Sequence, residues 1–358
     1  MASTNRAHLY LGDIQITGIS VDAPGKPTNI VTDGTKISWS AGTPGRAGPT
    51  LAWCVDISPS GPTLEMDGTK NPTEGGSVRL KNLDLGTKYD IQIFGVNKAG
   101  RGEAADTTFE ISYNKASGGQ VTDVLNYNGT GQKWRIHQFD ADGTFEVQAA
   151  VLPFRVLCVA GGGGASSSAQ SFAGGGGGAG GMLSLDSASL IERSYSAVIG
   201  GGGKGGSAGH DAYGTDSSFT ENLTKTVVLS TKGGGCGGGC GGSRSGGSGG
   251  SGGGGSWGAN GGGNGGSGID GQGHNGCRDY SGYVWGSGGG GGAGSAGNHT
   301  NGGSGRSNDI TGTEVYYAPG GNGQSGNPGQ GWGSPGSGGK YGNGSGHAGV
   351  VIVAYQIG

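Results

Sequence analysis

The chain has 358 residues, of which 13% are charged, and a formal net charge of −3, so there is no electrostatic case for nucleic acid or an anionic membrane as partner. No run approaches the about 20 apolar residues of a membrane helix, and the opening Met1-Ala2-Ser3-Thr4-Asn5-Arg6 lacks the pattern of a secretion signal; synthesis in a cytoplasm and no membrane insertion are expected. Of 93 glycines, 73 follow residue 160, far from ordinary globular usage.

Residues 1–21 hold one short alternating segment, Leu9-Tyr10-Leu11-Gly12-Asp13-Ile14-Gln15-Ile16, too small to fold alone and expected to attach to a partner sheet. Residues 22–114 change to short strands separated by Pro, Gly, Asn and Asp turns, as in an antiparallel sandwich. The signal lies at 37–40, 51–57 and 83–97; in the last, Tyr89, Ile91, Ile93 and Gly95 share one strand face. Residues 115–160 form a β lead-in with strands at 134–139, 143–149 and 154–160. Residues 161–358 are the glycine-rich part, with further strands at 195–199 and 226–230 and a closing apolar strand at 348–355. The strands at 154–160, 195–199 and 226–230 lead into glycine at 161–164, 200–203 and 233–235, so the glycine is clamped rather than free linker.

Glycine runs can adopt the extended polyproline II conformation, with about three residues per turn and no internal hydrogen bonds. Their polar groups are then free to pair sideways, and close packing requires inward positions without a Cβ. Ser245, Ser248 and Ser251 recur at three-residue intervals, as do Gly320, Gly323, Gly326 and Gly329, but the phase breaks repeatedly. Many short segments folded back on one another are expected rather than one collagen-like rod. The fold class is therefore all-β.

Two resemblances follow from these residues. The Pro24-Gly25-Lys26-Pro27 entry, the Trp39 strand, the Leu83-x-x-Gly86-Thr87-x-Tyr89 corner and the Val96-Asn97-Lys98-Ala99-Gly100 exit resemble a fibronectin type III module, with Leu85 where that family usually has proline. The run Val159-Ala160-Gly161-Gly162-Gly163-Gly164, the Tyr195-Ser196-Ala197-Val198-Ile199-Gly200 turn and the closing Gly349-Val350-Val351-Ile352-Val353 resemble the glycine-rich domain of bacteriophage tail-tip and tail-fibre proteins, over residues 120–358. That resemblance implies a sandwich of polyglycine II helices whose connecting loops contact a host surface, and a minor tail protein of the virion. The segment Leu9-Tyr10-Leu11-Gly12-Asp13 is similar to the start of phage minor tail proteins, which implies other tail proteins as partners. The tail-fibre resemblance admits a homotrimer, whereas a folded polyglycine sandwich can also be complete within one chain. The glycine-rich ectodomain of the anaplastic lymphoma kinase receptor family is similar in composition, but that family carries a secretion signal and a membrane helix.

Aromatic residues punctuate the glycine tracts. Tyr280, Tyr283 and Trp285 crowd beside Arg278 and Asp279, and Trp257, Tyr316, Tyr317 and Trp332 stand elsewhere between runs. Such residues either staple glycine layers or are displayed to stack on host surface glycan or protein. Cys236, Cys240, His274 and Cys277 match no common zinc spacing, five cysteines make no disulfide framework, and the glycines before Lys204 and Lys232 form no phosphate loop. No carboxylate pair predicts glycosidase chemistry. The expected function is a non-enzymatic receptor-binding adhesin with no cofactor or metal; the alternatives are a capsid or tail decoration protein and a polysaccharide depolymerase.

Overall fold

The computed structural model describes residues 7–10, 22–33, 35–66, 71–83, 86–110, 113–166, 173–206, 212–239, 243–258, 261–278, 286–342 and 344–358. The chain divides into two compact units, Met1–Tyr113 and Asn114–Gly358. Among the described residues every sheet is antiparallel, and a 3₁₀ turn lies at Tyr127–Gly129.

The first unit contains β1 (Ala7–Tyr10), β2 (Thr28–Asp33), β3 (Lys36–Ser40), β4 (Ala52–Ser58), β5 (Thr63–Met66), β6 (Gly75–Lys81), β7 (Lys88–Asn97), β8 (Gly100–Arg101) and β9 (Ala105–Glu110). One sheet has the order β2-β3-β6-β5; the other runs β1-β4-β7-β8, with β9 also paired to β7. Alternation decides which side chains go inward: Ile37 and Trp39 of β3 are buried, as are Tyr89, Ile91 and Ile93 of β7. Trp39 from one sheet meets Trp53 from the other edge to face, with centroids 5.7 Å apart. The opposite face of the β4–β7 pair is also apolar, with Cys54, Phe94 and Val96 clustered there. The short opening segment finds a sheet within its own chain, since β1 pairs with β4 from Ala7 opposite Ile57 to Tyr10 opposite Cys54. The rest of that segment, 11–16, lies outside the described residues.

The second unit is built on β10 (Lys115–Ser117), β11 (Gln120–Val124), β12 (Trp134–Phe139), β13 (Gly143–Ala149), β14 (Phe154–Val159), β15 (Met182–Ala188), β16 (Ser194–Val198), β17 (Ser217–Glu221), β18 (Val227–Thr231), β19 (Arg306–Asn308), β20 (Val315–Tyr317) and β21 (Val350–Gln356). Two five-stranded sheets, ordered β10-β13-β16-β17-β18 and β11-β12-β21-β14-β15, enclose a core in which Phe145 packs against Phe139, Phe154 and Phe219 at 6.0–6.4 Å. The second sheet is buried on its other face too, where Leu157, Val159, Val350 and Ile352 meet Ala179, Ala293, Tyr317 and Ala318. Burial on both faces is why β14 and β21 read as unbroken apolar runs instead of alternating. Cys158 lies in this doubly covered sheet; burial pushes its thiol up to about 11, and that of Cys54 in the first unit up to about 12, which leaves both inert.

Between the sandwich strands the glycine-rich segments run side by side and bond laterally. Successive N–H groups of 161–166 donate to three neighbours in rotation: Gly161 and Gly164 to Thr215 and Ala212, Gly162 and Ala165 to His347 and Gly344, Gly163 and Ser166 to Gly178 and Gly175, at 2.8–3.2 Å. The carbonyls follow the same rotation, Gly161 and Gly164 accepting from Gly234 and Gly237, Gly162 and Ala165 from Gly203 and Gly206. Segment 175–181 repeats the scheme: Gly175, Gly178 and Gly181 donate to Gly238, Gly235 and Lys232, while Gly176 and Ala179 donate to Gly288 and Gly291. Neighbouring backbones therefore touch where side chains would stand. A Cβ on Gly177 would fall well inside van der Waals contact with the Gly163 carbonyl oxygen and the Gly339 nitrogen. At the rim, side-chain oxygens replace the missing neighbour: Ser245 and Ser248 accept from Asn264 N and Ser267 N at 3.3 and 3.2 Å, and Asn275 from Gly268 N at 2.8 Å.

The crossing between the two sheets is held by His137, which is fully buried. Its Nδ1 lies 2.6 Å from the Gly118 carbonyl and its Nε2 lies 3.2 Å from the Tyr355 hydroxyl, which also accepts from Ala116 N. Burial pulls the imidazole pKa down, against an opposing hydrogen bond to Gly118.

Two outcomes test this account. Gly177→Ala should lower the unfolding free energy by about 1–3 kcal/mol through overpacking, while Gly201→Ala, whose Cβ would meet nothing closer than Thr215 Oγ1 at 3.9 Å, should be near neutral in the same denaturant titration. Because His137 is harder to protonate folded than unfolded, the unfolded chain binds the extra proton. Its stabilising contribution should be complete above about pH 6.5 and decline as pH falls toward its lowered folded value, and His137→Gln should flatten that part of the stability profile.

Candidate functional site

Each glycine excursion leaves the sandwich and returns to it. The chain runs outward along 160–166 from β14 and back along 173–181 to β15; it repeats this along 200–206 from β16 and 212–216 to β17, then leaves β18 along 232–239. Four more segments continue the pattern, turning beside the sandwich at 249–251 and 269–272, where Gly250 N donates to Gly233 O and Met182 N to Gln272 O. The far ends of these segments are tied to one another. Ser166 N donates to Gly175 O, Gly206 N to Ala165 O, Trp257 N to Ala173 O, Gly255 N to Cys277 O and Gly288 N to Gly255 O. One end of the glycine layer thus gathers the flanks of 167–172, 207–211, 240–242, 259–260 and 279–285, which themselves lie outside the described residues.

Three further turns belong to this end. At Asn298–Asn301 the two backbones exchange hydrogen bonds of 3.0 and 2.9 Å around His299, which is left-handed at φ 52° and exposed. Gln324 and Ser325 form the second turn, with Gln324 N held by Ser287 Oγ at 2.8 Å and Ser325 at φ 62°. The third turn, around Tyr341, follows the exposed Lys340. The asparagine, histidine and threonine that interrupt the glycine run at 298–301 were its sequence signal; the Gln324-Ser325 turn had only the weaker signal of two polar residues between glycines.

The sequence candidates separate on this frame. Tyr280, Tyr283 and Trp285 lie outside the described residues. Trp257 is half-buried at the far end, bridged to Ala173. Tyr317 is a correction: it is 3% exposed and part of the core under β21, because β20 pairs with β19 against the sandwich and turns that ring inward. Its neighbour Tyr316 points the other way and is half-buried, with Gly331 against its Cβ. Trp332 is a staple. Its indole N–H donates to Gly338 O at 3.0 Å, Lys340 Nζ sits 4.7 Å above its ring, and His347 meets it edge-on at 5.3 Å.

Of the cysteine set, Cys236 is buried beside Ala212, Cys277 is half-buried within the glycine layer, and Cys240 lies outside the described residues. A groove of the second unit lies elsewhere, between the edges of β15 and β18. It has a volume of about 490 Å³ and is lined by Leu185, Leu190, Ile191 and Val228, with Arg193 and Glu221 paired at 3.2 Å. Hydrogen bonds from Thr224 and from the Leu223 and Thr224 amides hold the Glu221 carboxyl down to about 2, so it stays ionised and does not serve as a proton donor.

An all-β protein has thus been defined in which a two-sheet sandwich carries a laterally bonded glycine layer with its turns gathered at one end. A family model described as a glycine-rich domain matches residues 137–356, more than half of the chain, and the chain belongs to that glycine-rich domain family. No curated protein matches the chain.

The burial of Tyr317 is open to a direct check. Tyr317→Ala should cost about 3–5 kcal/mol in a denaturant titration, as truncating a core aromatic does, whereas truncating the half-exposed Tyr316 should cost less than half as much.

Proposed function

We propose that this protein is a structural minor tail protein of a bacteriophage virion and that the far end of its glycine layer is a host receptor-binding surface. The observation that carries this reading is the convergence of the turns. The flanks of five connections and three described turns share one end of a scaffold whose hydrogen bonds run mainly backbone to backbone, which supports a recognition role for that end without a need for it to hold the layer together. The rotation of bonding partners every three residues supports polyglycine II geometry for the segments, in which about 3.1 Å per residue sets the turns roughly 20 Å beyond the strand ends. For the first unit, the strand orders β2-β3-β6-β5 and β4-β7-β9 support a fibronectin type III-like spacer. The outer edge of β1, which lies at the end of its sheet, is the part offered to other tail proteins. On this reading the chain acts without catalysis or cofactor, works on the virion, and engages a cell-surface glycan or protein, as a homotrimer or as a single chain.

A decoration protein is the competing reading, and binding separates the two. The intact purified chain should bind cells of its bacterial host saturably, and Tyr283→Ala with Trp285→Ala should weaken binding at least tenfold, about the effect of losing one anchoring aromatic, while leaving the unfolding midpoint unchanged. Absence of binding, or binding untouched by the double substitution, would overturn the adhesin reading. Release of reducing sugar from host envelope would replace it with a depolymerase.

A further inference from the structure

Seven Asn-Gly dipeptides occur in the chain, and in five of them both residues are described. In such a pair the asparagine amide carbon is open to attack by the following backbone nitrogen, because glycine has no side chain to shield it. The reaction needs that nitrogen free and the amide free to turn.

Four of the five pairs withhold both groups. After Asn128, Gly129 N donates to Asn126 O and the side chain donates to Asp309 at 2.7 Å. After Asn275, Gly276 N donates to Gly266 O, and the Asn275 amide oxygen accepts from Gly268 N. After Asn301, Gly302 N donates to Asn327 O, and the Asn301 oxygen accepts from Asn327 N at 2.8 Å. After Asn322, Gly323 N donates to Thr300 O, and the side-chain amide donates to Gly323 O and Gly326 O.

Asn264 is the exception. It sits exposed on the rim segment 261–268, its side chain has no hydrogen-bond partner among the described residues, and neither does Gly265 N. We propose that Asn264 is a spontaneous modification site that converts to aspartate and isoaspartate ahead of the four bonded Asn-Gly pairs. The Gly265 nitrogen bonds to Asn264 Cγ as its own proton leaves; the Cγ–Nδ2 bond breaks and ammonia departs, closing a succinimide. Water then reopens the ring. Cleavage at Cγ gives aspartate, and cleavage at the main-chain carbonyl gives isoaspartate. No oxidant or reductant takes part.

The location gives the second product a consequence. Isoaspartate routes the main chain through Cβ and adds one carbon between positions 264 and 265. On one side of that point Asn264 N bonds to Ser245 Oγ and Gly263 N to Ser256 O; on the other, Gly266 N bonds to Gly253 O and Ser267 N to Ser248 Oγ. One added atom puts these two sets out of register, so the rim segment must release one of them. Ageing would therefore loosen the glycine layer from this edge.

The test is an ageing series on the intact chain at mildly alkaline pH, with proteolytic peptides scored by the mass gain of amide-to-acid conversion and by an isoaspartate-specific assay. Asn264 should lead the four bonded pairs by about tenfold, the protection one backbone hydrogen bond gives through local opening. In chain unfolded by urea the five rates should converge, and Asn264→Gln should abolish the leading product without changing the other four. Aged folded protein should also show faster amide exchange at 266–269. The proposal is overturned if Asn264 does not lead in the folded chain, or if its lead survives unfolding undiminished.

Discussion

The structure depends on one interaction, the hydrogen bond between backbones of adjacent glycine segments. Each such segment is extended, so it cannot satisfy its own N–H and C=O groups, and leaving them unpaired in a buried layer would cost about 1–3 kcal/mol apiece. Pairing them brings the backbones so close that a Cβ at Gly163, Gly177 or Gly254 would run into a neighbour's carbonyl. Glycine is thus obligatory here for lack of volume rather than for freedom of φ. Its entropic cost on ordering, roughly 0.5–1 kcal/mol above alanine, is offset only because both bonding groups of each inner residue find partners. A single glycine run could not do this, and a set of runs fixed at their ends by sandwich strands can.

That requirement explains the polar residues scattered through the tracts. An inner segment has backbone on all sides, but a rim segment has donors facing outward with no neighbour. Serine and asparagine fill that role from the adjacent segment, as Ser295 does for Ser304 N and Ser345 does for Gly205 N. The effect resembles the protection of an edge strand, where a bonded or blocked edge cannot recruit another chain. The layer ends where side-chain oxygens stand in for the missing backbone.

The all-β character and the anchor strands were legible because apolar side chains carry that signal: β12 and β13 fall at the residues the pattern marks, and β14 and β21 within one or two positions of it. β15 and β17 were not legible. Met182–Ala188 and Ser217–Glu221 are short and rich in serine, and they become strands because β14 and β16 offer an edge to pair with. That short segments fold back on one another was legible, but where they turn was not: Gly320, Gly323, Gly326 and Gly329 keep an unbroken three-residue spacing, yet Gly320 and Gly323 bond to Gly303 and Thr300 while Gly326 lies past the turn at Gln324. Aromatic roles were not. Tyr316 and Tyr317 are adjacent and chemically alike, yet one is half-buried and the other is core, because alternation in β20 sends them to opposite faces and nothing in a glycine-rich context says which face the sandwich covers.

The same division of labour bears on how the far-end turns can vary. In most folds a loop's neighbours include core side chains, so changing the loop disturbs packing. Here most of the large buried side chains of the second unit are concentrated in and beside the sandwich, around Phe145 and around Ile352, and the layer between them and the far end is held mainly by main-chain hydrogen bonds, with serine and asparagine oxygens at its rim. At the described turn Asn298–Asn301 the exposed His299 is held by backbone bonds, so a substitution there should have an effect that stays close to the turn itself. Distance from the core and the small share of side chains in between make the layer a support held chiefly by main chain, so that its cost of folding is set by the glycine segments more than by the residues that join them.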